Sequence, residues 1–532
     1  MFDPLKNDYS SIRQVIYGKK GMVATTQPLA AQIGIDILKK GGNAVDAAVA
    51  TAIAMTILEP TSNGIGGDAF ALVYHEGRMY GLNGSGPAPA LATCESFRER
   101  YGDTSPEMGM DTVTVPGCVA SWVALSERFG RLPFKELVEP AIGYAREGYP
   151  VSPVTAHLWG RAYESYKKRL QDACYKPWFD TFAPEGRAPR PGEVVRLPQH
   201  VKTLEEIAET KGESFYRGAI AKELDAWSKE QDSFLRAEDL ASYEPEWVTP
   251  IQTTYRGYQV LEIPPNGHGL VALMALNIFE HNRQVDSTAE SYHQKIEAMK
   301  LAFTDGKHYV SDPKSMRMST EHLLSKSYAK KRYELIGERA LEPVVGDPSS
   351  SGTIYLCTAD EEGNMVSFIQ SNYMGFGSGM VVPGTGIALH NRGANFSLDP
   401  EVDNCIAPGK RPYHTIIPGF LMKDGVALGP FGVMGGFMQP QGHFQVVTNL
   451  IDHHLNPQQA LDAPRWQWTG GMRIEVEEDF PEEVRQNLAQ RGHKIKVVDH
   501  YNMGRGQIIL RNSEGVLMGA TEKRADGSVA SW

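Results

Sequence analysis

Two strand-like runs joined by a short turn are the feature that most constrains the fold of this 532-residue chain. The runs are TIYLCTA (353–359) and NMVSFIQS (364–371), and the turn between them is acidic and contains a glycine. Both alternating faces of each run are largely apolar, which is typical of strands in a sheet that is covered on both sides. Helical patterns alternate with further strand-like runs along the chain. We therefore expect a layered α/β body in which helices cover a central sheet.

Other segments give local predictions. QPLAAQIGIDILKK predicts a helix that ends at Gly41-Gly42, and NAVDAAVATAIAMTIL predicts a buried helix with Asn43 as its cap. AFALVYHEGRMYGLNGSG predicts a hairpin that turns at Glu76-Gly77, and YRGYQVLEIPP is strand-like. SYHQKIEAMKLAFTDGKHYVSDP predicts an amphipathic helix that ends before Pro313. The glycines of NGIGGDAF lack the lysine of a phosphate loop and indicate close backbone packing.

Composition narrows the class of protein. A formal net charge of −11 without a Lys/Arg block argues against nucleic acid as a partner. No apolar run is long enough for a transmembrane span, and the first residues lack the apolar core of a signal peptide. The five cysteines are odd in number and include no C-x-x-C pair, so neither a disulfide framework nor a zinc site is expected. These features favour a soluble globular enzyme of the reducing cytoplasm.

A loose segment, ALEPVVGDPSSSG (340–352), stands directly in front of Thr353. A threonine hydroxyl is a poor nucleophile unless a base lies beside it, and the α-amine of an N-terminal threonine can serve as that base. Cleavage between Gly352 and Thr353 would create this amine, and glycine leaves room for the hydroxyl to attack the preceding carbonyl. The alternative is that Thr353 is only the first residue of a strand, where threonine is common.

A series of further motifs extends over most of the chain. They are GGNAVDAAVA (41–50), EPTSNGIGGDAF (59–70), VPGCVASWVAL (115–125), EAMKLAFTDGKHYVSDP (297–313), TADEEGNMVSF (358–368), FGSGMVVPGTGIALHN (376–391), MGGFMQPQGHFQ (434–445) and DAPRW (462–466). In this order they resemble the γ-glutamyltranspeptidase family of N-terminal-nucleophile hydrolases. The resemblance implies a four-layer αββα sandwich made as one precursor. It also implies self-cleavage into a large chain of residues 1–352 and a small chain of residues 353–532 that remain one folded body.

The resemblance assigns a role to each catalytic candidate. Thr353 would attack an amide carbonyl and form an acyl-enzyme, after cleavage of the Gly352–Thr353 bond. Ser371 occupies the position of a second threonine that helps to hold the nucleophile. Gly435 and Gly436 occupy the positions whose backbone N–H groups form the oxyanion hole. No cofactor and no metal is implied.

The chain departs from the family where the family binds the γ-glutamyl group. Asn83 stands in place of an arginine that binds the α-carboxylate, and Asn395 in place of an aspartate that binds the α-ammonium. Arg392 stands where the family has a glutamine. Further candidates for substrate contact are Tyr373 and the pair His414 and Thr415, which replaces two serines.

These departures point to an acyl group that carries a carboxylate but no α-amine. Loss of the aspartate removes the acceptor for an ammonium, whereas Arg392 can still pair with a carboxylate. The pattern resembles cephalosporin-acylase-like and oxamate-amidohydrolase-like branches of the family, with an oxamate-like or glutaryl-like acyl group. A structural ion pair for Arg392 and a structural cap for Asn395 are the alternatives.

Two other functions stay open. One is ordinary γ-glutamyl transfer or glutathione hydrolysis, which would need other residues to bind the amino acid group. The other is a non-catalytic relative that is never cleaved and only binds small acids. The sequence leaves open whether the pair of chains forms a homodimer.

Overall fold

Two seven-stranded sheets lie face to face between layers of helices. The computed structural model describes residue 5 and residues 12–283, 285–343 and 352–532. Most of the loose segment expected at 340–352 therefore lies outside the described residues. Within the described ranges, every helix is too short or too polar to cross a lipid bilayer.

The strands are numbered in chain order. They are β1 (Ile16–Gly18), β2 (Gly21–Thr25), β3 (Asp68–His75), β4 (Arg78–Gly84), β5 (Tyr149–Pro150), β6 (Val194–Val195), β7 (Glu246–Val248), β8 (Ile251–Tyr255), β9 (Tyr258–Glu262), β10 (Gly352–Asp360), β11 (Met365–Tyr373), β12 (Gly419–Lys423), β13 (Val426–Met434), β14 (Trp466–Gly470), β15 (Arg473–Glu477), β16 (Lys494–Val498), β17 (Arg505–Arg511), β18 (Leu517–Thr521) and β19 (Ser528–Ser531).

The α-helices are numbered in the same way. They are α1 (Pro28–Lys39), α2 (Ala44–Leu58), α3 (Cys94–Tyr101), α4 (Cys118–Phe129), α5 (Phe134–Glu147), α6 (Pro153–Arg169), α7 (Lys176–Phe182), α8 (Pro198–Thr210), α9 (Glu213–Arg217), α10 (Ala219–Glu230), α11 (Ala237–Ala241), α12 (Gly269–Phe279), α13 (Ala289–Tyr309), α14 (Thr320–Leu323), α15 (Lys326–Tyr333), α16 (Gln439–Ile451), α17 (Pro457–Asp462) and α18 (Glu482–Gln490).

Both large sheets are antiparallel throughout. One has the strand order β1-β18-β17-β13-β12-β9-β8 and the other β19-β2-β10-β11-β3-β4-β7. A small sheet, β14-β15-β16, and a two-strand pair, β5-β6, lie beside them. Residues 1–352 and residues 353–532 each contribute strands to both large sheets.

The hydrophobic core has three parts, one between the two sheets and one under the helices on each outer face. This arrangement is an αββα sandwich. Side chains such as Phe70, Tyr355 and Phe420 fill the space between the sheets. Helices α1, α2 and α4 pack on the outer face of the β10 sheet, and α12 and α16 pack on the outer face of the other, while α5 packs on α2 and α13 on α12. Strand β10 is buried on both faces, because Ile354 points to the helices and Tyr355 to the opposite sheet. The four-layer fold expected from the resemblance is confirmed.

The local predictions for the N-terminal half are confirmed. Helix α1 ends just before Gly41, and the Asn43 side chain caps α2 by accepting from the N–H groups of Val45 and Asp46. The β3–β4 hairpin turns at Glu76 and Gly77, whose φ angles are 47° and 79°. Such positive values suit glycine and explain the sharp reversal.

One prediction needs refinement. The strand-like segment YRGYQVLEIPP is not one strand, because the chain reverses at Arg256-Gly257 and pairs β8 with β9. The φ angles of 46° and 84° at these two residues form the turn. Helix α13 covers Ala289–Tyr309 and ends before Pro313, as the sequence predicts.

Candidate active site

Thr353 lies on β10 at an irregularity in the pairing with β11. Gly352 pairs with Tyr373 but Ile354 pairs with Gln370, so Thr353 alone faces two residues of the neighbouring strand. Bulges of this kind redirect side chains and are common next to active sites. The Thr353 side chain is fully buried. The predicted nucleophile is therefore set apart from the regular hydrogen-bond ladder.

Among the residues that the structure describes, the side chains of Ser371 and Gln439 reach the Thr353 hydroxyl. Ser371 Oγ lies 3.1 Å from Thr353 Oγ1 and also accepts a hydrogen bond of 2.7 Å from the Tyr373 N–H. Gln439 Nε2 lies 3.5 Å from the same Oγ1, and its Oε1 accepts from the Ile417 N–H at 2.9 Å. The Ile417 contact fixes which end of the amide faces the threonine. Ser371 was predicted to be here, whereas Gln439 was not.

The glycine pair expected to form the oxyanion hole follows β13 directly. Gly435 and Gly436 have φ angles of 135° and 56°, which side chains rarely tolerate. A Cβ atom at Gly435 would lie 3.0 Å from Gly504 Cα. The pair leads into α16, whose first residue is Gln439, so these backbone groups lie near a helix N-terminus and near the threonine. A helix N-terminus favours negative charge.

Arg392 is a fully buried cation. Its Nη1 donates to Thr415 Oγ1 at 2.6 Å, and its guanidinium lies 4.5 Å from the centre of the Tyr373 ring. Its Nε and Nη2 have no hydrogen-bond partner among the described residues. Burial lowers the pKa of Arg392 to about 10, although Asp68 and Tyr373 oppose part of that shift. The side chain is thus charged at neutral pH, and one edge of its donor fork is unused.

A buried carboxylate that the sequence did not suggest belongs to the site. Asp68 begins β3 and pairs in register with Ser371 of β11. Its oxygens accept from His414 Nε2 at 2.9 Å and from the Gly117 N–H at 3.1 Å. Burial raises the pKa of Asp68 to about 7, against the opposing charge of Arg392. Desolvation and that same arginine hold the pKa of His414 well below its usual value, so His414 donates as a neutral ring.

The two asparagines occupy different surroundings. The Asn83 amide is buried and bonded to Asn266 Oδ1 at 2.9 Å, while its oxygen accepts from Ser85. Asn395 is half-buried in the short turn that begins at Arg392, and its Nδ2 has no partner in the described part of the chain. Asn395 therefore sits on the same turn as the arginine, whereas Asn83 is held within its own polar network.

Within the described part of the chain, one cluster away from Thr353 has the residue types of a metal site. Ligand atoms of His293, Glu297 and His493 lie within 4.8 Å of one another and are buried. Lys300 Nζ is 2.8 Å from Glu297 Oε1, and His293 Nδ1 is 2.9 Å from His493 Nε2. The lysine already balances the charge of the carboxylate, and a divalent ion would have to compete with it.

Comparisons with known proteins identify a matching family and several full-length relatives. The family model described as Gamma-glutamyltranspeptidase matches residues 30–532. The chain is 37% identical to the glutathione hydrolase-like YwrD proenzyme of Bacillus subtilis, covering 96% of this chain and 98% of that protein. It is 32% identical to the oxamate amidohydrolase proenzyme of Klebsiella pneumoniae, with the same coverage of each.

A solved structure agrees with the fold. The crystal structure of cephalosporin acylase from Bacillus halodurans superimposes with a TM-score of 0.97 and 58% identity, covering 100% of this chain and 99% of that one. The match to the family model, the full-length relatives and this superposition lead to one conclusion. The chain is an enzyme that belongs to the γ-glutamyltranspeptidase family.

Proposed function

We propose that this enzyme is a self-processing amidohydrolase with Thr353 as its nucleophile. In this proposal the chain cuts itself between Gly352 and Thr353, which gives a large chain of residues 1–352 and a small chain of residues 353–532. The bulge at Thr353 and the contact of its hydroxyl with Ser371 support an unusual, reactive position. The two curated relatives are proenzymes by name, which also supports an activating cut.

The cut gives Thr353 an α-amine, and an ordinary α-amine has a pKa of about 7.7–8.0. This amine takes the hydroxyl proton while Oγ1 attacks the amide carbonyl. Backbone N–H groups at Gly435 and Gly436 stabilise the negative oxygen that forms. The amine then gives the proton to the leaving nitrogen, the C–N bond breaks, and an ester on Thr353 remains. The same amine then deprotonates a water that attacks the ester, the bond from the carbonyl carbon to Oγ1 breaks, and the amine returns the proton to Oγ1 as the free acid leaves.

The observation that carries the proposed specificity is the unused edge of Arg392. Nε and Nη2 share one edge of the guanidinium, which is an edge that binds a carboxylate through two parallel hydrogen bonds. A buried cation with two unpaired donors strongly favours an anionic ligand. Asp68 accepts hydrogen bonds from His414 and from the Gly117 N–H, and it bonds to neither of the two unpaired Arg392 nitrogens.

The same surroundings disfavour an ammonium group on the acyl chain. Asn395 is a neutral amide, and both oxygens of Asp68 already accept hydrogen bonds. An ammonium would be buried beside Arg392 without a free carboxylate to pair with it. We therefore propose monoamides of dicarboxylic acids as substrates, either short (oxamate-like) or longer (glutaryl-like). One of the relatives is an oxamate amidohydrolase by name, which supports the shorter acyl groups.

Hydrolysis of glutathione or another γ-glutamyl amide is the second candidate. The likeness to a glutathione hydrolase-like protein favours it. It would require Asp68 to exchange its bond to His414 for a bond to the substrate ammonium. A non-catalytic binding protein is the remaining alternative, and it predicts a chain that stays uncut.

Ammonia release from a matched set of amides tests the proposal. Glutaramate and L-glutamine differ only in the α-ammonium, and oxamate and succinamate cover the shorter acids. We expect the best of the three monoamides to exceed glutamine in kcat/KM by about 100-fold, because burying an unpaired ammonium is costly. The Thr353→Ala variant is the control and should release no ammonia. Faster turnover of glutamine than of all three monoamides would contradict the proposed specificity.

A further inference from the structure

Cys94 and Cys405 lie on two segments that pack against each other, helix α3 and the loop that follows Arg392. Cys94 is the first residue of α3, and its Sγ lies 3.3 Å from the Leu398 carbonyl oxygen. Cys405 forms a parallel bridge with Ser397, the residue before Leu398. Both cysteines therefore border one small apolar cluster, and both contact the same stretch of backbone.

The two thiol groups also interact with each other. Burial raises the pKa of the Cys405 thiol to about 11, and a hydrogen bond and charge interaction with the Cys94 side chain contribute to this increase. Lys410 and Arg98 act in the opposite direction. All five cysteines are free thiols in the structure, so this contact joins two reduced groups.

Small reagents can reach this pair, because Cys94 and Cys405 are each half-buried. Hydrogen bonds hold both segments in place. The Thr93 side chain caps α3 by accepting from the Ser96 N–H at 3.1 Å, and Lys410 Nζ donates to the Cys405 carbonyl oxygen at 2.8 Å. A covalent bond between the thiols would therefore join two segments that are already ordered next to each other.

The loop that contains Cys405 belongs to the surroundings of Arg392. Asn404 Nδ2 donates to the Asn395 carbonyl oxygen at 2.6 Å, and Asn404 Oδ1 accepts from the Tyr413 N–H at 2.8 Å. Asn404 thus links the turn that carries Arg392 to the segment that carries its hydrogen-bond partner. A bond at Cys405 would connect this part of the site to α3.

We propose that Cys94 and Cys405 form a reversible disulfide beside the proposed substrate site. The thiols stay free in reducing surroundings, and a low-molecular-weight disulfide such as oxidised glutathione is the oxidant. Cys94 belongs to residues 1–352 and Cys405 to residues 353–532, so the bond joins the two predicted chains. That link between chains rests on the proposed function, whereas the disulfide itself does not.

Two thiol–disulfide exchanges form the bond. The Cys94 thiolate attacks one sulfur of oxidised glutathione, the S–S bond of that reagent breaks, and one glutathione leaves. Cys405 then gives up its proton and attacks the Cys94 sulfur of the mixed disulfide, which releases the second glutathione. The two leaving thiolates take up the protons of the two cysteines. The cysteines lose two electrons, and oxidised glutathione gains them.

Peptide mapping of the native, full-length protein after treatment with oxidised glutathione tests this inference. Free thiols are alkylated, and trypsin digestion follows without reduction. Trypsin places Cys94 in peptide 79–98 and Cys405 in peptide 393–410, and neither peptide contains a second cysteine. We expect these peptides to be recovered mainly as one disulfide-linked pair, which dithiothreitol should separate. On a denaturing gel without reductant, the cut and oxidised protein should migrate as one band near 58.7 kDa instead of two.

Serine variants identify the cysteines that form the bond. Cys94→Ser and Cys405→Ser should each abolish the linked pair, because each removes one of the two sulfur atoms. Cys174→Ser is the matched control, since Cys174 is also half-buried, and it should form the linked pair to the same extent as the original protein. Melting temperatures under reducing conditions show whether the three variants fold.

The outcomes separate the disulfide from the function proposed above. Recovery of the two peptides from the folded protein in alkylated form, or each with its own glutathione, would overturn the disulfide. A one-band pattern that persists in Cys94→Ser or Cys405→Ser would also overturn it, because other cysteines would then join the chains. A linked pair in a chain that stays uncut would support the disulfide and overturn the proposed self-cleavage instead.

Discussion

The proposed specificity of the site depends on one buried guanidinium, that of Arg392. Thr415 and the ring of Tyr373 fix its orientation, and the aromatic contact recovers about 0.5–2 kcal/mol of the cost of burying the charge. That recovery is smaller than the several kcal/mol that desolvation of an ion costs. A carboxylate bound at the unused edge would offset the remaining cost of burying the guanidinium. Binding of the ligand would therefore also neutralise the buried charge.

Replacement of Arg392 tests this account at the residue scale. Arg392→Lys keeps a positive charge but loses the two parallel donors, and we expect kcat/KM for the best monoamide to fall about 100-fold. Arg392→Gln removes the charge and should lower it further. Steady-state kinetics provide the measurement, with Arg146→Lys as a control for the same change at the surface. Unchanged kcat/KM in Arg392→Gln would show that the carboxylate binds elsewhere.

Ser371 should act on the cleavage step through the Thr353 hydroxyl. Ser371→Ala removes the oxygen 3.1 Å from Thr353 Oγ1, and we expect self-cleavage to slow by about tenfold or more. Ser371→Thr restores a hydroxyl and should restore much of the rate. Gel electrophoresis of freshly purified protein over time measures the uncut fraction. Cleavage of Ser371→Ala at the original rate would remove Ser371 from the mechanism.

At the scale of elements, local sequence patterns predict where a helix or hairpin begins or ends when the end residue caps a helix or adopts a positive φ angle. Asn43 caps α2 through its side chain, and Glu76-Gly77 supplies the positive φ angles of a hairpin. The glycines of NGIGGDAF do pack closely, since a Cβ atom at Gly66 would lie 2.5 Å from the Ala388 carbonyl oxygen. No local pattern could reveal Asp68 as a site residue, because its partner His414 is 346 positions away in the chain.

In the candidate site, too, residues of one local segment could be predicted, whereas contacts between distant elements could not. Thr353 and Ser371 could be predicted because they belong to one hairpin, β10–β11, and a family resemblance supplied their roles. Gln439 contacts Thr353 only because the β13–α16 junction meets that hairpin across the fold. Contacts of this kind depend on packing between distant elements, which periodicity in one segment does not encode.

Helix α8 contains a histidine that should make stability depend on pH. Burial alone lowers the pKa of His200 to about 4, from an ordinary value of 6.5. The unfolded chain therefore binds this proton more readily, and the native state loses about 3 kcal/mol of stability as pH falls from 6.5 to 4. His200→Leu removes the group. We expect the variant to lose less stability than the original protein over this range.

Denaturant unfolding at several pH values measures this difference. His322→Leu is the control, because it makes the same replacement at an exposed histidine. Parallel stability curves for His200→Leu and the original protein between pH 4 and 6.5 would refute the predicted penalty.

At the scale of the whole molecule, the two predicted chains are interleaved. In one large sheet, β10 and β11 lie between β2 and β3, so strands of residues 353–532 are flanked by strands of residues 1–352. In the other sheet, β12 pairs with β9. Each predicted chain alone would expose sheet edges and the apolar surfaces between the sheets. The chains should therefore depend on each other for a stable fold.

This interleaving predicts how the cleaved protein behaves. The two chains should elute together from a gel-filtration column in native buffer and separate only in denaturant, because no strand is released by the cut. Denaturing electrophoresis of the eluted peak supplies the readout. Elution of the chains in separate native peaks would contradict the shared sheets.

Intact mass spectrometry of the purified protein tests the central claim, that Thr353 becomes an N-terminal nucleophile by self-cleavage. We predict two masses that correspond to residues 1–352 and 353–532, with the smaller fragment beginning Thr-Ile-Tyr-Leu-Cys. The Thr353→Ala variant should remain one uncut chain, with a mass close to the 58.7 kDa of the original sequence. It should also lack amidase activity. An original protein that stays uncut and still hydrolyses monoamides, or a Thr353→Ala variant that is cut and active, would contradict the account.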